Sequence, residues 1–386
     1  NFNALQLESL KRDGILVKPI LPASVRKRTT MFKNITPFHT AAINPDSSLL
    51  ASLRDIDPLM NVPDQNNWYT THYAAVCEGD GPLKFLLSND VGVCDVNKEG
   101  EMPLLVAARV GREENVKILL EAMMKMEKLD EIKKSGKKEK KTNEKEEESE
   151  LDHDEGPAAK RIKKAKKENG DKKSIVNGKN RKGWTALHAA VWNGRTECVR
   201  VLLSCPSIDI ECTTGASEKK MTPLMMATGK GHLEIAMMLI DRGAKIEGRD
   251  KLKRSPLMIA CINGQSDLAE ILLHKGADVQ RVAKSTLSEK NEWMMTPLSI
   301  AYLKGHFSIV SWLLDNYSSD VDVNAKDQSG ITLISSLLSF CDGNNTANLP
   351  CQINYLIQRG SDCSLVDATG NSPLHTLAAV KILMRG

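Results

Sequence analysis

The sequence is poor in the features that mark several large classes of protein. It has no run of about 18 apolar residues, the length a membrane-crossing helix needs, so neither a helical membrane protein nor a membrane partner is expected. The opening Asn1-Phe2-Asn3 lacks the charged-then-apolar pattern of a secretory signal. Cysteine is present nine times, at 77, 94, 198, 205, 212, 261, 341, 351 and 363, but never as Cys-x-x-Cys and never at regular distances. An odd, scattered set fits reduced thiols in a cytosolic or nuclear protein, and no four Cys or His residues have the spacing of a zinc site. Aromatic residues make up only 4% of the chain.

The residues that usually carry chemistry are equally sparse. Of eight histidines, His39, His72, His188 and His375 sit in one recurring four-residue element, and His232 and His306 each follow a glycine. Only His153 and His274 remain, one in a charged stretch and one near a helix end, which is no setting for a buried acid/base pair. Gly79-Asp80-Gly81 and Gly229-Lys230-Gly231 lack the other residues of a dinucleotide or phosphate-binding loop. No catalytic, cofactor-binding or metal-binding residue is therefore assigned in this chain.

What the chain does contain is self-similarity. The element Thr36-Pro37-Phe38-His39 returns as Tyr69-Thr70-Thr71-His72, Met102-Pro103-Leu104-Leu105, Thr185-Ala186-Leu187-His188 and Thr222-Pro223-Leu224-Met225. Ser255-Pro256-Leu257-Met258, Thr296-Pro297-Leu298-Ser299, Thr332-Leu333-Ile334-Ser335 and Ser372-Pro373-Leu374-His375 complete the set. Three of the intervals are 33 residues, four lie between 36 and 41, and one is 83. Thr or Ser caps a helix by accepting an orphan backbone N–H, and Pro at the next position suits the first turn because it has no N–H to satisfy. Ala pairs then allow close helix approach, a glycine such as Gly111, Gly194 or Gly264 stops the helix, and aliphatic pairs such as Leu119-Leu120 and Leu202-Leu203 form the stripe of a second helix.

A 33-residue helical hairpin with a Thr-Pro-Leu-His-like start resembles the ankyrin repeat. The expected fold class is all-α, a solenoid of about nine helix-turn-helix repeats, each needing its neighbours to bury its stripe. The resemblance implies protein partners gripped by a concave face of finger loops and first helices.

The 83-residue interval predicts an insert of about fifty residues, from Glu127 to Asn180. Residues 127–182 hold 19 Lys and Arg against 14 Asp and Glu, whereas the rest of the chain holds 34 against 35. The insert has few aliphatics and no aromatic residue, so it cannot offset the entropy of ordering, and a disordered loop is expected. The alternative is a charged helix from Glu121 to about Glu150, favoured by Glu and Lys at four-residue spacing. The expected organisation is an N-terminal segment 1–30, repeats one to three over 31–126, the insert over 127–180, and repeats four to nine over 181–386, the last of them truncated or misjoined.

Within the insert, Pro157-Ala158-Ala159-Lys160-Arg161-Ile162-Lys163 resembles the short nuclear import signal of Myc-type transcription factors. With Lys164, Lys166 and Lys167 it implies an import receptor as partner and a nuclear location; a merely solvated charge run is the alternative. Nucleic-acid contact through these lysines is the weaker reading, and without interleaved aromatics it would not select single-stranded sequences. A smaller insertion, Arg281 to Trp293, lengthens a finger loop and ends in Trp293-Met294-Met295, either an apolar contact for a partner or a loop folded back on its own repeat.

A finer resemblance rests on Ile35-Thr36-Pro37-Phe38-His39-Thr40-Ala41-Ala42-Ile43-Asn44-Pro45 and on Trp68-Tyr69-Thr70-Thr71-His72-Tyr73-Ala74-Ala75-Val76-Cys77-Glu78-Gly79. Together with Thr296-Pro297-Leu298-Ser299-Ile300-Ala301 before Lys304-Gly305-His306-Phe307, these stretches are similar to the ankyrin region of tankyrase-like poly(ADP-ribose) polymerases of nematodes and protists. The resemblance implies a nuclear parent that transfers ADP-ribose from NAD to proteins, its catalytic domain and its NAD site lying outside this chain. The end at Arg385-Gly386, inside a repeat, fits a portion of a longer protein. A stand-alone ankyrin scaffold without enzymatic activity is the alternative.

Overall fold

A computed structural model describes residues 35–56, 60–143, 174–284, 294–326, 330–339 and 349–383. Within them the chain forms antiparallel helical hairpins: α1 (Pro37–Ala41) with α2 (Ser48–Ile56), α3 (Thr70–Val76) with α4 (Gly81–Ser88), and α5 (Pro103–Val110) with α6 (Glu113–Asn143). Then come α7 (Ala186–Trp192) with α8 (Thr196–Ser204), α9 (Pro223–Lys230) with α10 (Leu233–Asp241), and α11 (Pro256–Asn263) with α12 (Ser266–His274). Last are α13 (Pro297–Leu303) with α14 (Phe307–Asn316), α15 (Leu333–Ser339) with α16 (Leu349–Gln358), and α17 (Pro373–Leu383). The fold is all-α, as the repeat predicts. The strands described are two residues each, β1 (Ala283–Lys284) and β2 (Met294–Met295), paired antiparallel in the lengthened finger.

Each first helix begins at the recurring element for the reasons its residues supply. Thr185 Oγ1 accepts the His188 N–H, and Ser255 Oγ accepts the Met258 N–H, so an orphan donor of the first turn is satisfied. The helices α5 and α11 stop at Gly111 and Gly264, both left-handed, a conformation an L side chain would resist. Ala41, Ala42, Ala74, Ala75, Ala107, Ala108, Ala189 and Ala190 are fully buried, which is where neighbouring first helices meet. Leu119, Leu202, Leu239, Leu272 and Leu313 of the second helices are fully buried as well.

The chain divides into two compact units. One comprises Asn1–Pro223 with Met237–Arg242, the other Leu224–Ala236 with Gly243–Gly386. In each, the core is a line of hairpin-to-hairpin interfaces and not a single centre, so stability is a sum of repeat and nearest-neighbour contributions.

The expected insert, 127–180, differs from the described backbone at both ends. Helix α6 runs on from the third repeat to Asn143, the helix-favouring Lys and Glu of its continuation carrying it through Gly136. On the return side Ile175, Val176 and Asn177 form a buried turn, not solvated chain. The two ends meet: Glu127 accepts the Ser174 hydroxyl at 2.8 Å and the Ile175 N–H at 2.5 Å. Residues 144–173 lie outside the described residues.

At the far end, in the last repeat, Val380-Lys381-Ile382-Leu383 continues α17 without a break. No glycine stands between His375 and Leu383 to end the first helix.

Candidate partner-binding surface

Five of the described finger loops are built by one repeated device. Five residues ahead of the helix cap stands an Asp or Asn whose Oδ1 accepts two backbone N–H groups, two and four residues on. Asp64 receives Asn66 and Trp68, Asn97 receives Glu99 and Glu101, and Asn180 receives Lys182 and Trp184. Asp250 receives Leu252 and Arg254, and Asp367 receives Thr369 and Asn371. Each loop is thereby closed on itself before the helix begins. In the first unit adjacent fingers are then joined by backbone bonds: Lys98 N–H to Asn66 O at 2.9 Å, Arg181 N–H to Glu99 O at 2.9 Å, and Gly215 N–H to Lys182 O at 2.8 Å. The middle bond joins the third repeat to the fourth directly, across the insertion.

Below the fingers the recurring histidines bridge repeats. Nδ1 of His39, His72 and His188 accepts the N–H of its own helix cap, Thr36, Tyr69 or Thr185. Since a backbone N–H only donates, Nδ1 must be bare and Nε2 must carry the proton. That Nε2–H donates to the carbonyl just ahead of the next cap: Trp68 at 3.1 Å, Glu101 at 2.9 Å and Met221 at 3.3 Å. Burial holds His39 below the ordinary histidine value and brings His72 and His188 down to about 4, so these rings are neutral structural struts at pH 7. Thiols behave likewise. Burial pushes Cys198 up to about 11 and Cys261 up to about 12, so both are poor nucleophiles.

In the second unit the surface opens into a cavity of about 380 Å³ between consecutive fingers and first helices of the seventh and eighth repeats. Val282, Met295, Leu298 and Leu333 give it an apolar lining, and Asp322 and Lys326 stand at its polar part. Such a cleft can receive an apolar side chain of a partner and fix its orientation, but it offers no pair of groups for bond-making.

Of the predicted contacts, Met295 has a buried side chain that walls this cavity, pairing through its backbone with Ala283. Trp293 lies outside the described residues, as do Pro157, Lys160, Arg161, Lys163, Lys164, Lys166 and Lys167; Met294 is described only as a strand position. The glycine pairs are packed against the protein's own residues. A Cβ at Gly79 or Gly81 would meet Pro45 at 2.9 or 2.8 Å, and one at Gly231 would meet Gln265 at 2.8 Å, so that space is already filled by the protein.

Two comparisons with known proteins bear on this arrangement. The profile of the family "Ankyrin repeats (3 copies)" matches residues 38–130, 159–214 and 206–283, and that of "Ankyrin repeat" matches 294–328. The chain belongs to the ankyrin-repeat family. Among curated relatives, it is 41% identical over 411 aligned positions to "Poly [ADP-ribose] polymerase tankyrase" of Caenorhabditis elegans, covering all of this chain and 17% of that protein. It is 36% identical over 72 residues to "SMC5-SMC6 complex localization factor protein 1" of Homo sapiens and of Bos taurus, covering 18% of this chain and 6% of each relative. The chain therefore spans less than a fifth of the length of the curated relatives it matches. A solved complex, "Bd0816 Predatory Endopeptidase from Bdellovibrio bacteriovorus in complex with immunity protein Bd3460", aligns with a TM-score of 0.43 at 24% identity, over 52% of this chain and 95% of that one.

The repeating aspartate or asparagine is a loop-closing signal that the hairpin pattern alone passes over. It is visible in the sequence as an Asx residue five positions before Tyr69, Met102, Thr185, Ser255 and Ser372.

Proposed function

We propose that this chain is the partner-gripping part of a nuclear, tankyrase-like poly(ADP-ribose) polymerase. The observation that carries the reading is the 41% identity to a tankyrase across the whole chain, fingers and first helices included. The ankyrin fingers hold protein targets, and transfer of ADP-ribose from NAD takes place elsewhere in the parent. The basic cluster from Pro157 to Lys167 binds an import receptor by charge and delivers the parent to the nucleus. Nucleic acid is a secondary partner of the same lysines, through phosphate neutralisation.

The test is ADP-ribosylation by the parent protein with and without residues 35–383. Self-modification with NAD is expected to persist without them while modification of bound target proteins falls at least tenfold. Equal target modification by both forms would reject the gripping role, and a parent with no transfer activity at all would leave a scaffold in its place.

A further inference from the structure

Three adjacent fingers of the first unit carry a row of cations. They are Lys98 between the second and third repeats, Arg181 and Lys182 between the third and fourth, and Lys219 and Lys220 between the fourth and fifth, all of them exposed. The backbone bonds from Arg181 to Glu99 and from Gly215 to Lys182 hold these fingers side by side, so the charges follow one another along their edge. Carboxylates on the same fingers are fewer. Glu218 pairs with Lys182 at 3.5 Å, Glu101 is buried against Arg109, and Glu99 is exposed. Asp95, Asp209 and Glu211, earlier on the same loops, are half-buried.

The backbone of one finger gives these lysines a second distinction. Three residues ahead of a first helix the chain is left-handed at Gly100, Gly183, Gly330 and Gly370, with φ of 75°, 77°, 73° and 84°. Glycine suits that conformation because it has no Cβ to crowd the carbonyl. In the finger before α9 the same place is held by Lys220 at φ 54°, and its neighbour Lys219 is left-handed too, at φ 69°. The finger before α11, in the second unit, puts Lys253 there at φ 60°. Lysine thus stands where glycine would be less strained, and strain of this kind persists where the side chain has a task.

We propose that this edge of the first unit binds an extended acidic segment of a partner protein, its carboxylates pairing in turn with Lys98, with Arg181 or Lys182, and with Lys219 or Lys220. Packed helices lie roughly 8–10 Å apart, and the fingers that launch the first helices recur at that spacing. A polyproline-II chain presents the same side every third residue, after about 9 Å, so Asp or Glu at every third position would meet successive fingers. A protein segment is favoured over nucleic acid on two counts. Glu99 would lie against phosphates, and Trp184, the aromatic residue of these three fingers, is half-buried beside Trp192, ring centres 5.4 Å apart, and gives bases no open platform to stack on. The inference rests on the reading that the fingers grip protein targets and adds the chemistry of the target.

The experiment uses the whole chain with isotope-labelled glycine, at low salt. The probe is a synthetic peptide with Glu at every third residue and Pro and Ser between, and its control carries Gln in place of Glu. Saturable amide shifts at Gly100, Gly183 and Gly215, one on each finger, are expected with the Glu peptide alone. Lys98→Gln and Arg181→Gln should each weaken binding by roughly two- to fivefold, the worth of an exposed ion pair. Lys219→Gly combined with Lys220→Gly should weaken it at least fourfold without lowering the melting temperature, because relief of left-handed strain offsets the added freedom of the unfolded chain. A cooperative thermal transition in each variant confirms that it is folded. Three results overturn the proposal: no saturable shift at these glycines; binding that the finger variants leave unchanged, as expected if the lysines of the insert are the site; or tighter binding of a single-stranded oligonucleotide of equal charge at the same glycines. A peptide that fails while deletion of residues 35–383 still lowers target modification would reject the acidic target and leave the gripping role standing.

Discussion

His72 of the second repeat donates from Nε2 to the Glu101 carbonyl of the third at 2.9 Å, while its Nδ1 accepts the Tyr69 N–H at 3.2 Å. One imidazole thus ties a helix start to the loop that launches the next repeat, and it can do so only when neutral. His188 repeats the arrangement with Thr185 and Met221. A proton added to either ring would set an N–H against an N–H inside a buried site.

This predicts acid sensitivity with a definite sign. The folded values of His72 and His188, about 4, lie below the unfolded value of 6.5. The stability they contribute is fully present above pH 6.5 and is lost as pH falls from there towards 4, by up to about 3 kcal/mol per histidine at roughly 1.4 kcal/mol per pH unit. Urea midpoints at pH 7.0, 5.5 and 4.5 measure it. His188→Gln, which does not titrate, should show a shallower fall over this window than the wild type, and parallel curves would refute the assignment.

Leu202 is fully buried on α8, on the stripe that packs between hairpins. Leu202→Ala is expected to destabilise by about 2–5 kcal/mol, the range for a large-to-small change in a packed interior. Chemical denaturation gives the figure, and an unchanged midpoint would remove Leu202 from the core. Because a repeat stack adds unit and interface contributions, the loss should appear first as a split transition, with the repeats beside α8 melting ahead of the rest.

How much of this was legible in the sequence depended on the range of the physics. The helix starts at Thr185 and Ser255 are local, since cap and proline act within one turn, and they fall where the recurring element places them. The aliphatic pair Leu202-Leu203 likewise announces its buried face by spacing alone. By contrast, where α6 ends was not legible, because Lys and Glu favour helix and solvation alike and only the capture of Ile175 by Glu127 marks the return of the chain. The basic edge of the fingers depends on backbone bonds between repeats, and no local pattern records which loops stand side by side.

Two glycines separate backbone strain from steric conflict. Gly276 and Gly264 are both left-handed, at φ 91° and 71°, but a Cβ on Gly276 would meet nothing within 4 Å, whereas one on Gly264 would lie 2.7 Å from the His306 ring. Gly276→Ala should cost about 1–2 kcal/mol from conformation alone. Gly264→Ala should cost more, because His306 must also give up its 3.1 Å bond to the Ile262 carbonyl. Thermal melts of the two variants, run side by side, check the order; equal losses would show that His306 moves freely.

The import reading has its own measurement. A fluorescent reporter fused to the whole chain is expected in the nucleus, and Lys160, Arg161, Lys163 and Lys164 changed together to Ala should leave it in the cytoplasm. Nuclear accumulation of that variant would show that the signal lies elsewhere.

The two ends of the insertion meet on one carboxylate, and this makes Glu127 the most informative single position. Its oxygens receive the Ser174 hydroxyl and the Ile175 N–H, and behind that clamp Ile175 and Val176 fill the interior. Glu127→Ala would leave the Ile175 N–H short of its acceptor, a loss of roughly 1–3 kcal/mol. The neighbouring contact between fingers, Arg181 N–H to Glu99 O, does not pass through Glu127 and should hold the third and fourth repeats together. Hydrogen exchange distinguishes the two. Amides of Ile175 and Val176 should exchange at least tenfold faster in the variant, while the amide of Arg181 stays protected. Loss of protection at Arg181 as well would mean that the stack across the insertion depends on Glu127, and that the inserted segment is part of the repeat array instead of a loop carried by it.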